Sequence, residues 1–197
     1  MATDTFGAVV LTGGGGVRLG GVDKASIEIG GQTLLEHALG AVVEAAEIVV
    51  VGTEVPTSRP ATFTREDPAG GGPAAGLLAG LDAFARRPER VVVLAVDMPL
   101  VTPDTVRRLV RASGEEPGHD GAVLVDASGR DQYLCAAYSV AAIEEAAAPA
   151  SAHGLSMRDL VSGLRLARVP AVGDEAGDLD TWEDLARFRD AGAQADQ

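Results

Sequence analysis

The sequence predicts an α/β fold in which a mostly parallel sheet lies between two layers of helices. Apolar runs of strand length alternate with segments of helical periodicity through the first 115 residues, which is the pattern of βαβ units. The run Arg90–Val96 is the strongest predicted strand, and its lack of polar alternation is typical of the buried centre of a parallel sheet. Together these observations indicate a three-layer α/β/α sandwich with a Rossmann-like sheet.

Cap signals in the first half of the chain indicate where its helices begin. Thr33-Leu-Leu-Glu36 has the form of a helix capping box. Thr102 suits the N-cap position of a later helix, and Pro103 suits its first helical position. We predict strands at 7–11, 25–29, 47–51, 61–64 and 90–96, and helices at 34–46, 74–86 and 103–112.

The second half is predicted to be less regular and to begin with a hairpin around the Gly129-Arg130 turn. Thr181-Trp-Glu-Asp184 resembles a second capping box and predicts a final helix to about residue 190. No linker divides the sequence, so residues 1–197 are predicted to form a single domain with a disordered tail from about 192. We predict strands at 121–126, 131–138 and 164–169, and further helices at 140–148 and 156–162.

Composition and charge exclude several classes of protein. No apolar run approaches the roughly 18–20 residues of a membrane span, and residues 1–5 lack the basic region and apolar stretch of a signal peptide. The net charge of −13 argues against a nucleic-acid-binding surface, but a single nucleotide needs only a local positive site. We therefore expect a cytoplasmic protein with no membrane or nucleic-acid partner.

The single cysteine, Cys135, excludes an internal disulfide and a cysteine-based metal cluster. It lies at an apolar position in the middle of a predicted strand, so we expect a buried structural thiol rather than a nucleophile. The three histidines are scattered along the chain and offer no metal triad.

A glycine-rich loop at residues 11–24 directly follows the first predicted strand. Four consecutive glycines, 13–16, are followed by Arg18 and Lys24. Glycine costs backbone entropy on folding, and a run of glycines lets consecutive N–H groups turn inward around an anion. Arginine and lysine are the side chains best suited to phosphate. The loop therefore predicts a phosphate-binding site for a nucleotide.

The loop does not match the two commonest nucleotide-binding patterns. A Rossmann dinucleotide site would have its third glycine where Arg18 stands and would begin a helix at once, but residues 19–29 lack a helical pattern. A P-loop needs Gly-Lys-Ser or Gly-Lys-Thr, and this chain has Asp23-Lys24-Ala25. A purely structural loop remains an alternative.

Asp97 ends the apolar strand 90–96, and Pro99 enforces a sharp turn two residues later. The carboxyl ends of strands are where ligands bind on sheets of this kind, so Asp97 and the glycine loop are expected at the same edge. A carboxylate that faces a phosphate loop is a natural ligand for Mg²⁺. The alternative is that Asp97 is only a turn or cap residue.

Five segments in this order resemble the MobA family, the nucleotidyltransferases that are similar to molybdenum cofactor guanylyltransferase. The opening L-T-G-G-x-x-x-R-L-G-G-V-D-K is similar to the family's L-[AST]-G-G-x-S-x-R-M-G-x-D-K, and Val96-Asp-Met-Pro99 resembles its metal-binding C-D-x-P turn. The other three are Gly72-Pro-Ala-Ala-Gly76, Tyr133–Tyr138 and Asp178–Leu185, similar to G-P-L-A-G, P-L-x-A-x-Y and N-x-N-T-P-E-D-L. The resemblance covers residues 8–185 and implies a fold like that of the nucleotide-diphospho-sugar transferases.

The resemblance implies a Mg²⁺-dependent enzyme that transfers GMP from GTP to a molybdopterin-type acceptor. It also implies transient contact with cofactor-synthesis proteins or molybdoenzymes. In this resemblance, the catalytic residues are Arg18 and Lys24, which neutralise the triphosphate, and Asp97, which binds the metal. The metal ligands are Asp97 and Asp180, with Asp178 as the alternative to Asp180. The implied nucleotide-binding residues are Leu11, Thr12, Gly13, Gly14, Lys24, Asp67, Gly72, Pro73, Gly76 and Asp97.

The departures from the family pattern leave the nucleotide open. Gly16 stands where the family usually has serine, so a hydroxyl contact is lost there. Asp178 and Asp180 replace asparagines, a form shared with cytidylyltransferase relatives, whereas Gly13-Gly14 is similar to the guanylyl type. The alternatives are a related CTP- or sugar-phosphate-directed transferase and a non-catalytic nucleotide-binding accessory protein.

Overall fold

The computed structural model describes residues 5–13, 23–115, 118–147, 154–179, 181 and 183–184. The predictions for Gly14, Arg18 and Asp180, for most of the final helix and for the tail lie outside these residues. The strands are β1 (Gly7–Leu11), β2 (Glu28–Ile29), β3 (Gln32–Thr33), β4 (Glu47–Val51), β5 (Thr62–Thr64), β6 (Arg90–Ala95), β7 (Gly121–Val125), β8 (Asp131–Ser139) and β9 (Leu166–Pro170). The helices are α1 (Leu34–Ala41), α2 (Gly72–Asp82), α3 (Pro103–Glu115), α4 (Val140–Ala147) and α5 (Met157–Leu160).

The described strands form a seven-stranded sheet of order β5-β4-β1-β6-β8-β7-β9, and β2 and β3 form a separate antiparallel pair. In the larger sheet, β5, β4, β1 and β6 are parallel neighbours, and β7 and β9 are parallel to each other. The predicted mostly parallel sheet is confirmed. Strand β8 runs antiparallel to both β6 and β7. The expectation that β6 lies among parallel strands is therefore only half right. An apolar run indicates that both faces of a strand are buried, but it does not indicate the direction of the neighbouring strands.

Helices cover both faces of the sheet, which confirms the predicted three layers. Ala8 and Val10 of β1 pack into one buried cluster with the apolar faces of α1 and α3. Val9 and Leu11 face the other way and pack against residues of α2, α4 and α5. Successive residues of β1 therefore belong to different cores, because side chains along a strand point alternately to its two faces. Within the described ranges, no helix is both long and apolar enough to cross a membrane.

Several predicted boundaries were wrong, although the elements exist. Helix α1 ends at Ala41 rather than near 46, and β2 is preceded by a 3₁₀ turn at Lys24–Ser26 in place of the early part of the predicted strand. Helix α2 covers Gly72–Asp82 rather than 74–86, because Pro73 fits the first helical turn, where its missing N–H is not needed. At the other end, Arg87 donates to the carbonyl of Leu81 over 2.9 Å. Helix α5 is only one turn long.

Cys135 lies on β8 and is 1% exposed, so the predicted buried thiol is confirmed. Burial, with a smaller contribution from the nearby negative charge of Glu175, raises the pKa of the thiol to about 12. Since only the thiolate is a strong nucleophile, Cys135 is an apolar packing group at neutral pH.

A buried carboxylate connects the segment after β9 to α3. Glu175 is 7% exposed and accepts hydrogen bonds from Thr105 Oγ1 (2.6 Å), from the Val172 N–H (2.8 Å) and from the guanidinium of Arg108. Arg108 also donates to the carbonyl of Pro170 over 3.0 Å. Desolvation raises the pKa of Glu175, but these hydrogen bonds outweigh it and lower the pKa below its ordinary value. We call these contacts the Glu175 clamp.

We predict that Glu175→Ala destabilises the protein by about 3 kcal/mol, because it leaves Arg108 and Thr105 without their buried partner. Thermal and urea unfolding followed by circular dichroism measure this change. Glu115→Ala is the matched control, since Glu115 forms an exposed ion pair with Arg111 on the same helix. An exposed pair of this kind contributes little, so equal losses of stability in the two variants would contradict a special role for the clamp.

The Glu175 clamp also predicts that the stability of the protein depends on pH. A carboxyl group whose pKa is lowered by folding stabilises the native state above its unfolded pKa, and this contribution is lost as pH falls through the folded pKa. The difference in unfolding free energy between the wild type and Glu175→Gln should therefore be largest above pH 4.5, the ordinary value for the group, and should shrink in more acidic solution. A difference that is constant from pH 7 to pH 3 would exclude the ionised carboxylate as its cause.

Candidate active site

The site is built where three parallel strands end side by side. Leu11, the last residue of β1, is paired with Val51 at the end of β4 and with Ala95 at the end of β6. The ladder continues for one step beyond the strands, because Thr12 N–H donates to the Val51 carbonyl (3.1 Å) and Val96 N–H donates to the Leu11 carbonyl (3.0 Å). The segments that follow these strands therefore leave the sheet at one edge, where ligands bind in folds of this class.

Lys24 and Asp97 form an ion pair at this edge, with 2.9 Å between Nζ and Oδ2. The side chain of Lys24 is 10% exposed and that of Asp97 is 25% exposed. The 3₁₀ turn that carries Lys24 begins at Asp23, whose Oδ1 accepts the N–H of Ala25 over 3.1 Å. Lys24 is also the only lysine in the sequence. The single lysine ammonium of the chain is therefore partly shielded from solvent and paired with a carboxylate.

Asp97 is held from a second direction by the segment that follows the Glu175 clamp. The N–H of Leu179 donates to the backbone carbonyl of Asp97 over 2.8 Å, and the Leu179 side chain is fully buried. Asp178, one of the two predicted metal ligands on this segment, is exposed next to this contact. Asp180, the other, lies outside the described residues. The turn at Asp97 is therefore braced by a part of the chain more than eighty residues away in sequence.

The donor groups at this edge fit a divalent cation that is shared with phosphate oxygens. Among the described residues, no group of three His, Cys, Asp or Glu side chains is arranged to hold a metal. The carboxylate of Asp97 already holds one cation, the ammonium of Lys24. Mg²⁺ in nucleotide sites usually takes one or two carboxylates together with substrate phosphates and water. The single carboxylate of Asp97 suits that mode and does not suit an all-protein cage.

A cavity of about 380 Å³ lies at the same edge of the sheet, between the ends of β1 and β4 and the first turn of α2. Glycines are prominent among the described residues of its wall. Gly72 has a φ of +85°, and a Cβ built on Gly76 would lie 3.3 Å from the Leu11 side chain. The N-terminal N–H groups of a helix attract anions, and α2 begins in the wall of the cavity. The described residues that line it are Leu11, Gly13, Val51, Gly52, Arg65, Glu66, Ala69, Gly70, Gly72, Pro73 and Gly76.

A family model described as the MobA-like NTP transferase domain matches residues 8–169. The chain belongs to the MobA-like NTP transferase family. Two relatives are named molybdenum cofactor guanylyltransferase. The protein from Rhodobacter capsulatus is 31% identical over 92% of this chain and 94% of its own length. The one from Acidiphilium cryptum is 37% identical over 70% of this chain and 68% of its own length.

A solved structure shares the MobA-like fold. The molybdopterin-guanine dinucleotide biosynthesis protein A of Archaeoglobus fulgidus superposes with a TM-score of 0.74 and covers 95% of this chain and 99% of its own. Its sequence identity to this chain is 24%, so it is a comparison of fold alone. The likeness over nearly the whole length supports the sheet order found here.

The structure places many of the predicted site residues of this MobA-like chain in two groups at the carboxyl edge of the sheet. Lys24 and Asp97 form the ion pair at the strand edge. Five of the predicted nucleotide-binding residues line the cavity: Leu11, Gly13, Gly72, Pro73 and Gly76. The helix predicted from residue 74 begins two residues earlier, so Gly72 and Pro73 also belong to α2.

Two other predicted nucleotide-binding residues do not line the cavity. Thr12 is 9% exposed, and its hydroxyl donates to the Val51 carbonyl over 3.0 Å, so the side chain fixes the strand end. Asp67 is exposed in the segment before α2 and is not among the described residues that line the cavity. Sequence alone could not assign either orientation, because the direction of a side chain after a strand depends on the tertiary neighbours.

Two charged residues of the cavity wall were missed by the sequence predictions. Arg65 donates to the Gly52 carbonyl (3.3 Å) and to Thr53 Oγ1 (2.9 Å), which ties the end of β5 to the end of β4. Glu66 accepts the N–H of Gly70 over 3.2 Å and shapes the turn before α2. The sequence feature that could have indicated them is an Arg-Glu pair at the point where a predicted strand meets a glycine-rich segment.

We predict that Gly52→Ala disrupts the site through Thr12. A Cβ on Gly52 would lie 1.8 Å from Thr12 Oγ1, so the hydroxyl must leave the Val51 carbonyl and the chain after β1 must shift. Nucleotide affinity, measured by isothermal titration, should fall by about tenfold or more, in the range that a displaced polar contact produces. Gly40→Ala is the matched control, because nothing lies within 4 Å of a Cβ at that position in α1.

The double variant Thr12→Ala/Gly52→Ala gives a stricter test of the same contact. It removes the hydroxyl that collides, so its loss of affinity should be smaller than the sum of the two single losses. Strict additivity of the two substitutions would show that the collision with Thr12 is not the cause.

Proposed function

We propose that the protein transfers GMP from GTP to molybdopterin, or to its molybdenum-bound form, and releases pyrophosphate. The observation that carries this proposal is that the Lys24–Asp97 ion pair and a glycine-lined cavity lie at the same carboxyl edge of the sheet. The names of relatives at 31–37% identity support the choice of nucleotide and acceptor. In this proposal the reaction is a cytoplasmic step of molybdenum cofactor synthesis, and the product passes to cofactor-synthesis proteins or molybdoenzymes.

The proposed chemistry is a displacement at phosphorus. An oxygen of the acceptor's phosphate forms a bond to the α-phosphorus of GTP, the bond from that phosphorus to the bridging oxygen breaks, and its electron pair leaves with pyrophosphate. The acceptor is already an anionic nucleophile, so the protein needs no nucleophile of its own. Positioning and neutralisation of charge are then the main contributions of the protein.

The residues of the site suit that task. Lys24 supplies a mobile positive charge for the triphosphate, and the backbone of Gly13 and the first turn of α2 supply N–H groups at the cavity wall. The segment that begins at Gly154 packs beside the start of α2, since Gly154 N–H donates to the Gly71 carbonyl over 2.8 Å.

We propose Mg²⁺ as the cofactor, held by Asp97 together with Asp178 or Asp180. A bound Mg²⁺ would polarise the phosphoryl oxygens and neutralise the charge that develops on the leaving group. Asp97 is fixed for this task by its position directly after β6 and by the hydrogen bond from Leu179 to its carbonyl. The charge of Arg18, which the resemblance assigns to the same triphosphate, belongs to the proposal as well.

A nucleotide panel tests the proposed substrate. With Mg²⁺ present, GTP should raise the melting temperature more than CTP, ATP or UTP, because at equal concentration the nucleotide that binds the native state most tightly stabilises it most. Differential scanning fluorimetry at equal nucleotide concentrations measures this. A larger shift with CTP would replace the guanylyl assignment with the cytidylyl alternative that the Asp178-x-Asp180 pattern also fits.

Asp97→Asn tests whether the protein is an enzyme or a nucleotide-binding accessory protein. Loss of a metal carboxylate should cost several kcal/mol in the transition state, or about a thousandfold in the rate of GMP transfer. Pyrophosphate release with molybdopterin as acceptor gives the rate. The control is Asp104→Asn, which changes an exposed carboxylate on α3 and should leave the rate as it is. Undiminished turnover in Asp97→Asn would remove Asp97 from the chemistry.

A further inference from the structure

Glu66 is a carboxylate in the wall of the cavity that the proposed function assigns to a nucleotide. Among the described residues that line this cavity, Glu66 alone carries a negative charge, and Arg65 alone carries a positive one. A negative charge opposes the binding of phosphate groups. A part of the nucleotide that Glu66 stabilises must therefore offer hydrogen-bond donors instead of phosphate oxygens.

Two sets of hydrogen bonds position the carboxylate of Glu66. Its Oε1 accepts the N–H of Gly70 over 3.2 Å, and Gly70 is itself part of the cavity wall. The preceding residue, Arg65, donates to the Gly52 carbonyl and to Thr53 Oγ1, so the segment is tied to the end of β4. An ionised carboxylate has about four acceptor positions on its two oxygens. The contact with Gly70 therefore leaves most of this capacity for a ligand.

The strand order places Glu66 at the opposite end of the site from Asp97. The last residues of β5, β4, β1 and β6 are level with one another across the sheet. Glu66 follows β5 and Asp97 follows β6, each two residues beyond the end of its strand. The sheet order β5-β4-β1-β6 separates these two strands by three interstrand spacings, or roughly 14 Å. A nucleotide that has its phosphates at the Lys24–Asp97 pair and extends through the cavity therefore presents its base at the β5 end.

Guanine is the base whose hydrogen-bonding edge matches a carboxylate. Its N1–H and its N2 amino group are adjacent donors that point in the same direction, so the two oxygens of one carboxylate can accept both. Adenine and cytosine present a ring nitrogen acceptor in place of the N1–H, which a carboxylate repels. Uracil presents one donor between two carbonyl acceptors. Hydrogen bonds to a charged group are about twice as strong as neutral ones, so one carboxylate can discriminate among the four bases.

We propose that Glu66 selects guanine by accepting hydrogen bonds from N1–H and from the N2 amino group of the base. The inference rests on the proposed function, because it takes the cavity as a nucleotide site with the phosphates at the Lys24 end. It assigns base selection to Glu66 rather than to Asp67, the acidic residue that the resemblance implies. Glu66 is half-buried and lines the cavity, whereas Asp67 is exposed and is not among the described residues of the wall.

Binding of GTP, ITP and ATP to the full-length protein tests this assignment. Inosine lacks the N2 amino group of guanosine, so the wild type should bind ITP about tenfold more weakly than GTP, as expected for the loss of one hydrogen bond to a charged group. Glu66→Gln should weaken GTP binding by about tenfold or more, and ITP binding by less. It should not weaken ATP binding, because a side-chain amide can pair with the donor and acceptor of adenine. Isothermal titration with Mg²⁺ present measures the three dissociation constants.

The direction of these changes separates hydrogen bonding to the base from general electrostatics. Removal of a negative charge from the wall should by itself favour every polyanion, including inorganic tripolyphosphate. A loss of GTP affinity is therefore opposite in sign to the effect of charge alone. Glu66→Gln also keeps an acceptor for the Gly70 N–H, so the turn before α2 is retained. The proposal is overturned if GTP affinity is unchanged in Glu66→Gln, or if GTP, ITP and ATP lose affinity by the same factor.

Two further variants serve as comparisons. Glu54→Gln removes the same charge from the exposed segment after β4, which is not among the described residues of the cavity wall. It should leave the ratio of the GTP and ITP dissociation constants as in the wild type. Asp67→Asn should retain the preference for GTP over ITP. If Asp67→Asn abolishes that preference while Glu66→Gln retains it, base selection belongs to Asp67 and the proposal is wrong.

The imino proton of bound guanine reports on the contact directly in the wild-type protein. With ¹⁵N-labelled GTP, the saturated complex should show an N1–H resonance that is protected from exchange with water. This resonance should lie downfield of the N1–H of guanosine in an aprotic solvent, because a charge-assisted hydrogen bond is short and strong. An imino resonance that is absent or not shifted in the wild-type complex contradicts the proposal, even if Glu66→Gln does not fold.

The measurements distinguish failure of this inference from failure of the proposed function. If the wild type transfers GMP to molybdopterin while Glu66→Gln keeps the wild-type preference for GTP, the function stands and the role of Glu66 is excluded. If Glu66→Gln loses that preference but the wild type transfers no GMP, the function is wrong and the role of Glu66 stands. A wild type that prefers CTP excludes both before any variant is made.

Discussion

The site depends on the register of three parallel strands. Leu11 at the end of β1 is level with Val51 of β4 and Ala95 of β6, and backbone hydrogen bonds continue one residue further on both sides. A shift of one residue would turn every side chain of β1 to the opposite face and exchange its two cores. The register is therefore fixed by the packing of both helical layers, and it determines where the glycine loop and Asp97 leave the sheet.

Close backbone approach is the second constraint, and glycines make it possible. A Cβ on Gly80 would lie 2.7 Å from Val9, and one on Gly76 would lie 3.3 Å from Leu11, so α2 packs directly against β1. This packing brings the first turn of α2 to the cavity wall. The segment Gly72–Gly76, which resembles the family's G-P-L-A-G motif, is thus the start of a helix that packs onto a strand.

Asp97 is positioned by parts of the chain that are distant in sequence. Lys24 reaches it from the turn before β2, and Leu179 reaches it from the segment that the Glu175 clamp ties to α3. Asp97 is thus held by residues near the beginning and near the end of the described chain.

The sequence by itself determined the strand-forming runs, most caps and the candidacy of Lys24 and Asp97, because apolar period and turn chemistry are local properties. It placed helix ends less well, as at α1 and α2, since packing and side chains beyond the helix, such as Arg87, also decide them. Only the tertiary structure decided that β8 runs antiparallel to β6 and that Thr12 is turned into the strand end. It also decided that Lys24 and Asp97, 73 residues apart, share one hydrogen bond. The physical reason is that contacts between residues distant in sequence depend on how whole helices and strands bury one another. No local sequence pattern determines that packing.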